Sequence, residues 1–164
     1  MSQRINVFES SPLAVKAVFG IEQYVRSSSL EPSLYKLVKL RASYLNGCAF
    51  CVDMHTREAR AAGESEQRLF AVPVWKETPF FSARERAALA WTESVTELGR
   101  GGVSDELFRA TREHFSEQEL VDLTIGIIAI NAWNRLAVSF AAVPGSYQPA
   151  RAREQLAQVG ATEH

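Results

Sequence analysis

Apolar positions along the chain recur at helical spacing, and convincing period-two alternation of β-branched residues is absent. Val15, Val18, Phe19, Ile21 and Val25 supply the apolar face of a first helix predicted over about 11–27. Glu31-Pro32 opens a second helix, because proline suits a first turn whose N–H has no partner. Leu34, Leu37, Val38 and Leu45 form its apolar face, and Asn46-Gly47 ends or bends it. The chain then re-enters a helix with CAFCVDMHTREARAAG, for which Gly63 is a suitable C′ residue. A short helix over 66–72 is predicted to stop at Pro73, and the prolines of VPVWKETPFF are expected to break any helix in that connector.

Two S-x-x-E sequences mark further starts. Ser82 and Glu85 form one capping box, opening a helix expected to bury Ala88, Trp91, Val95 and Leu98 before Gly99, Gly101 and Gly102 close it. Ser104 caps another helix to about 114. Ser116 and Glu119 form the second capping box, which opens the longest helix, about 117–141, with Leu120, Leu123, Ile127, Ile130 and Val138 inward. Ile125 and Ile128 widen its apolar stripe, a sign of central burial or of sharing with a partner subunit. The predicted fold class is all-α, one helical domain over 1–145, followed by a polar tail over 146–164.

Composition narrows the function classes. The 164 residues suit a single domain with a proper core, and 46% apolar with 23% charged residues is ordinary for a globular chain. A net charge of −1 leaves no electrostatic case for nucleic acid or an anionic membrane. The uncharged stretch 123–134 is too short for a bilayer span, and MSQRINVFESS lacks a secretory pattern, so a cytoplasmic protein is expected. In that reducing compartment the only two cysteines, Cys48 and Cys51, are not expected to be a structural staple.

On a helix, Cys48, Cys51 and His55 fall at i, i+3 and i+7 and share one stripe. Cα atoms three apart on a helix lie about 5 Å from one another, within disulfide range, so the pair can cycle without refolding. Cys48 near a helix N-terminus gains thiolate stabilisation from the free amides, and His55 can take the proton of Cys51. Three uses compete: a redox or peroxidatic dithiol, two inert buried thiols, and a zinc site with His114 or a carboxylate as fourth ligand. Composition alone does not separate a peroxidase from a disulfide reductase.

The segment LYKLVKLRASYLNGCAFCVDMHTREARAAG, with its LRASxxNGCxxCxxxH arrangement from Leu40 to His55, resembles the core of the alkylhydroperoxidase D and carboxymuconolactone decarboxylase superfamily, in its peroxidase-like branch. ALAWTESVTEL and INAWNRLAV look like the same branch, so the resemblance spans about 10–140. It implies an all-helical, oligomeric fold (dimer, trimer or hexamer) and an antioxidant thiol peroxidase that reduces an organic hydroperoxide. It also implies a reset by a dithiol donor, a lipoyl group on a partner protein in the founding members. No cofactor or metal is expected. Cys51 is assigned as attacking thiol and Cys48 as resolving thiol; the alternative function is a thiol-disulfide adaptor or sensor without fast peroxide turnover.

Two positions depart from the founding pattern. Phe50 stands where a histidine precedes the second cysteine, and Lys36 stands where a relay glutamate lies twelve residues before the first. Both changes remove proton-transfer groups. Glu93, beside Trp91, is a candidate to orient His55, and Tyr44 a candidate to bring a hydroxyl to the thiols. Glu58 lies within helical reach of His55 but reads as a surface contact. Asn131, Asn134 and Arg135 either line the site or mark a subunit contact.

Overall fold

A computed structural model describes residues 2–147. It is helical, with no strand among those residues: α1 (Val7–Ser10), α2 (Pro12–Ser27), α3 (Pro32–Leu45), α4 (Ala49–Ala61), α5 (Glu66–Ala71), a 3-10 helix (Val72–Glu77), α6 (Ala83–Thr96), α7 (Asp105–Arg112) and α8 (Glu117–Ser139). The tail expected over 146–164 lies outside the described residues from 148 onward.

The capping signals act where the sequence places them. Ser82 and Ser116 each accept from the backbone N–H three residues on, and Glu85 and Glu119 each accept the cap residue's own N–H. Ser65 and Ser104 cap α5 and α7 in the same way on one side only.

α3 is the centre of the bundle and packs against α4, α6 and α8. Its apolar residues extend almost round the helix, so it supplies two clusters. Leu34, Tyr35 and Val38 join Val25, Trp91, Phe115, Leu123 and Ile127 on one side. Leu37 and Leu40 join Ala59, Leu69, Val72, Trp75 and Leu89 on the other. At the α3–α8 crossing Gly126 lets the Tyr35 ring lie against the α8 backbone: a Cβ there would come 2.9 Å from Tyr35 Cε2.

Several expectations are corrected. A one-turn α1 precedes α2, capped by the Asn6 side chain. α5 ends at Ala71, just before Pro73 as expected, but the connector keeps helical form: a 3-10 helix follows over Val72–Glu77, kinked at Val74 (φ −120°, ψ 29°). Leu98 is exposed because α6 ends at Thr96, and Val138 is half out in solvent near the end of α8. α8 as a whole is long and apolar enough to cross a membrane by length and composition. Here it is instead a core helix, with Leu123, Ile127, Ala129 and Ile130 fully buried against α2, α3 and α6.

Candidate active site

The site begins at the α3–α4 corner. Asn46 closes α3 and Gly47 adopts φ +63°, a left-handed turn open to glycine at low cost. The turn is pinned from α8: the Asn46 amide donates to Asn131 Oδ1 at 3.0 Å and Asn134 Oδ1 at 2.9 Å. Asn134, fully buried, donates in turn to Ser43 Oγ at 3.1 Å. Asn131 and Asn134 thus fix the corner that delivers Cys48.

Cys48 is the N-cap of α4, not a residue within it, and its backbone N–H bonds the Ser43 carbonyl at 2.9 Å. Its sulfur accepts the Cys51 N–H at 3.3 Å, the position a serine or aspartate oxygen takes in an ordinary cap. The free amides and helix dipole at that point favour negative charge on sulfur. Cys48 and Cys51 form a disulfide with Cα atoms 5.3 Å apart. Both residues are buried at 1% exposure.

One turn on, His55 is buried on the same face. Its Nδ1 lies 2.9 Å from Glu58 Oε2, so the ring donates its Nδ1 proton to the carboxylate and Nε2 is left as the lone-pair nitrogen. That Nε2 is buried and has no hydrogen-bond partner. Burial pushes the His55 pKa below its ordinary value, against the pull of the Glu58 hydrogen bond, so the ring is neutral at pH 7. Burial alone would raise the Glu58 pKa; the bond from His55 and the charge of Lys39 reverse this and hold it at about 2.

Glu58 joins a wider polar cluster. Tyr147 donates its hydroxyl to Glu58 Oε1 at 3.0 Å, and Lys39 Nζ stands 3.6 Å from Oε2. Lys39 also faces Glu22 at 3.8 Å, and Glu22 accepts the Tyr35 hydroxyl at 2.7 Å. Burial and the Glu22 carboxylate raise the Tyr35 pKa, so this hydroxyl stays a donor. A cavity of about 320 Å³ opens beside the cluster, and both Cys51 and His55 line it while Cys48 does not. Most of its wall is apolar, including Phe19, Phe50, Met54, Trp133 and Leu136.

Two sequence candidates stand elsewhere. Glu93 does not orient His55: its carboxylate takes Arg41 Nη2 at 2.8 Å, Trp75 Nε1 at 2.6 Å and Lys76 Nζ at 2.7 Å. Burial would raise the Glu93 pKa, but those donors outweigh it and keep the group ionised. It ties α3 and the 3-10 helix to α6, since Arg41 also bonds the Pro73 carbonyl at 3.1 Å. Tyr44 packs against the Leu37–Leu40 cluster, and among the described residues no hydrogen bond joins its hydroxyl to either cysteine. The orienting carboxylate is Glu58, which its half-exposed i+3 position disguised. Glu22 carried a signal of its own, an acid between Val18 and Val25 on the buried stripe of α2; Tyr147 carried none. Among the described residues no group of three or more His, Cys, Asp or Glu that could hold a metal ion is found.

Comparison with known proteins places this geometry. An uncharacterized protein of Bacillus subtilis (strain 168), YdfG, is 42% identical over 139 residues, covering 85% of this chain and 95% of its own. A crystal structure from Agrobacterium tumefaciens superposes with a TM-score of 0.85 at 47% identity, covering 89% of this chain and all of that one. That protein is of unknown function, and its name points to the antioxidant defence protein AhpD. The debrominase Bmp8 shares the fold alone, with a TM-score of 0.75 at 17% identity over 93% of this chain and 80% of its own. The sequence profile of the carboxymuconolactone decarboxylase family matches residues 12–94, half of the chain, and with the C-x-x-C pair and the AhpD-like fold it shows that this protein belongs to that family.

Proposed function

We propose that this protein is a thiol peroxidase of the alkylhydroperoxidase type, acting on organic hydroperoxides with Cys51 as attacking and Cys48 as resolving thiol. The carrying observation is His55: its Nδ1 donates to Glu58, its buried Nε2 has no hydrogen-bond partner, and the residue lines the same cavity as Cys51. A neutral imidazole held in that tautomer is a base for the Cys51 thiol. The Cys51 thiolate displaces at the peroxide oxygen, breaking the O–O bond; the leaving alkoxide takes a proton, and Cys51 becomes a sulfenic acid. Cys48, whose sulfur the helix N-terminus stabilises as thiolate, then displaces the sulfenic oxygen as water and closes the disulfide. In sum, two thiols and ROOH give a disulfide, ROH and H2O.

The apolar wall of the cavity suits an organic peroxide. With both cysteines at 1% exposure, a slender dithiol on a flexible arm, as on a lipoylated protein, fits the reductant's role better than a flat protein face. This weighs against the adaptor reading. A reducing, cytoplasmic setting and a homo-oligomeric assembly complete the proposal.

Thiol titration with intact mass before and after one equivalent of an organic hydroperoxide tests it. Loss of both thiols and about 2 Da, reversed by dihydrolipoamide, is expected. Cys51→Ser abolishes turnover, whereas Cys48→Ser stops at a sulfenic acid on Cys51. Unreactive thiols and an unchanged mass would overturn the reading.

A further inference from the structure

The thiol cavity adjoins a wider groove of about 850 Å³, and Phe19, Glu22, Arg26, Lys39, Glu58 and Tyr147 belong to the wall between them. Cys51 and His55 face the cavity only, while Lys36 and Arg57 face the groove only. The charged groups of the groove are therefore Arg26, Lys36, Lys39 and Arg57 against Glu22 and Glu58.

Most of them are already paired. Glu22 stands 3.6 Å from Arg26 and 3.8 Å from Lys39, Lys39 also meets Glu58 at 3.6 Å, and Arg57 holds Asp53 at 2.8 Å. Four cations thus face three carboxylates, and the surplus sits on Lys36, half-buried on α3 with no ion pair among the described residues. A half-buried ammonium against the apolar edges of Val25, Leu30 and Pro32 is a poor match for water and a good one for an anion with an apolar neighbour. Lys36 also occupies the position where the resemblance anticipates a relay glutamate, so the charge at this point of α3 is reversed.

We propose that Lys36 binds the carboxylate of an amphipathic hydroperoxide, an acid whose apolar chain crosses the shared wall and carries its –OOH group to Cys51. The inference rests on the peroxidase reading and adds to it the substrate class. Because Lys36 and Cys51 line different hollows, the carboxylate and the peroxide must stand several carbons apart, as in a fatty-acid hydroperoxide and unlike a short alkyl one. The reacting atoms are those of the step above, and Lys36 is a binding residue that takes no part in the electron or proton transfer.

The test compares kcat/KM for a long-chain hydroperoxy acid and its methyl ester, both below their critical micelle concentrations. The acid is expected to be favoured about fivefold in the wild-type protein, the upper end for a screened charge pair. Lys36→Met brings the ratio near one, and Lys36→Arg restores it. A ratio near one in the wild type, or an undiminished ratio in Lys36→Met, overturns the inference. A second arm titrates the corresponding hydroxy acid and its ester, which carry no peroxide, by tryptophan fluorescence, Trp133 lying in the cavity wall. Lys36-dependent preference for the hydroxy acid without turnover of either peroxide would overturn the peroxidase reading and uphold the carboxylate site; no preference in either arm would overturn the carboxylate site alone.

Discussion

Glu58→Gln separates the charge of the orienting carboxylate from its shape. In the native site one carboxylate oxygen accepts the His55 Nδ1 proton at 2.9 Å and the other accepts the Tyr147 hydroxyl at 3.0 Å. An amide has only one oxygen. If its NH2 turns toward His55, it donates to Nδ1 and forces the ring proton onto Nε2, converting the lone-pair nitrogen into a donor. If its oxygen turns that way instead, the bond survives but loses its charge. A hydrogen bond to an ionised partner is worth about 1.5–3 kcal/mol, and the Glu58 side chain is 31% exposed, which argues for the lower half of that range. About 1.5–2 kcal/mol lost from the transition state lowers the rate of Cys51 oxidation roughly 10- to 30-fold. The Glu58 bond opposes the effect of burial on His55, so removing it lowers the His55 pKa further. Rapid-mixing oxidation of the reduced protein across the acid range should therefore show a slower reaction whose acid limb has moved to lower pH. A general loss of folding would slow the reaction without that displacement. A rate within twofold of wild type, or an acid limb moved upward, would refute the assignment of Glu58 as the group that holds His55.

Three further outcomes follow from the same contacts. Glu93→Gln leaves the half-buried Arg41 guanidinium short of its counter-charge, and is expected to cost about 2 kcal/mol and lower Tm by roughly 4–8 °C while peroxide oxidation of Cys51 stays at the wild-type rate; a lost rate with an unchanged Tm would return Glu93 to the site. Gly126→Ala gains helix propensity but drives a Cβ to 2.9 Å from a Tyr35 ring anchored on Glu22, so denaturant unfolding should show a net loss of about 1–2 kcal/mol; a more stable variant would mean the ring is free to shift. The His55 folded pKa lies below its ordinary value, so the unfolded chain takes up a proton first as pH falls: stability present above about pH 6.5 declines from there toward the folded pKa, and a second decline, as Glu58 protonates, lies between its ordinary pKa of 4.5 and about 2. Urea midpoints of wild type and His55→Gln across that range check the sign, the variant losing the upper decline.

The helices were legible because their signals are local. Each S-x-x-E box, the Glu31-Pro32 start and the Asn46-Gly47 corner act within one or two turns of the residues that announce them. The same holds for Cys48, Cys51 and His55, whose common face is a matter of helical spacing. What stayed hidden depends on which elements meet. Glu93 and Glu58 are both acids near an aromatic or a histidine in sequence, and only the meeting of α3 and the 3-10 helix with α6, which delivers Arg41 and Trp75 to Glu93, excludes the first. Lys39 reaches Glu58 from α3, Glu22 meets Lys39 from α2, and Tyr147 arrives from beyond α8, contacts no periodicity reports. The exposed Leu98 has a simpler cause, since its apolar phase is right but the helix has ended two residues earlier.

This division has a chemical consequence. Everything required to form and trap a thiolate (an N-cap sulfur, a second thiol, a base and its orienting carboxylate) lies within eleven residues of one helix and its cap, so packing elsewhere can change without dismantling it. The groups that line the cavity and the groove beside it, Glu22 and Arg26 from α2, Lys36 and Lys39 from α3, and the apolar wall from α8, come from other helices. At the position twelve residues before Cys48, where the pattern this chain resembles has a carboxylate for proton transfer, Lys36 faces a groove whose cations outnumber its carboxylates. Under the proposed peroxidase reaction the base is His55, oriented by Glu58. Restoring the acid with Lys36→Glu should therefore not speed Cys51 oxidation; it sets a second carboxylate near Glu58 and opposes the binding of an acidic substrate. A rate above wild type in that variant would show that the relay, rather than the substrate, governs this position.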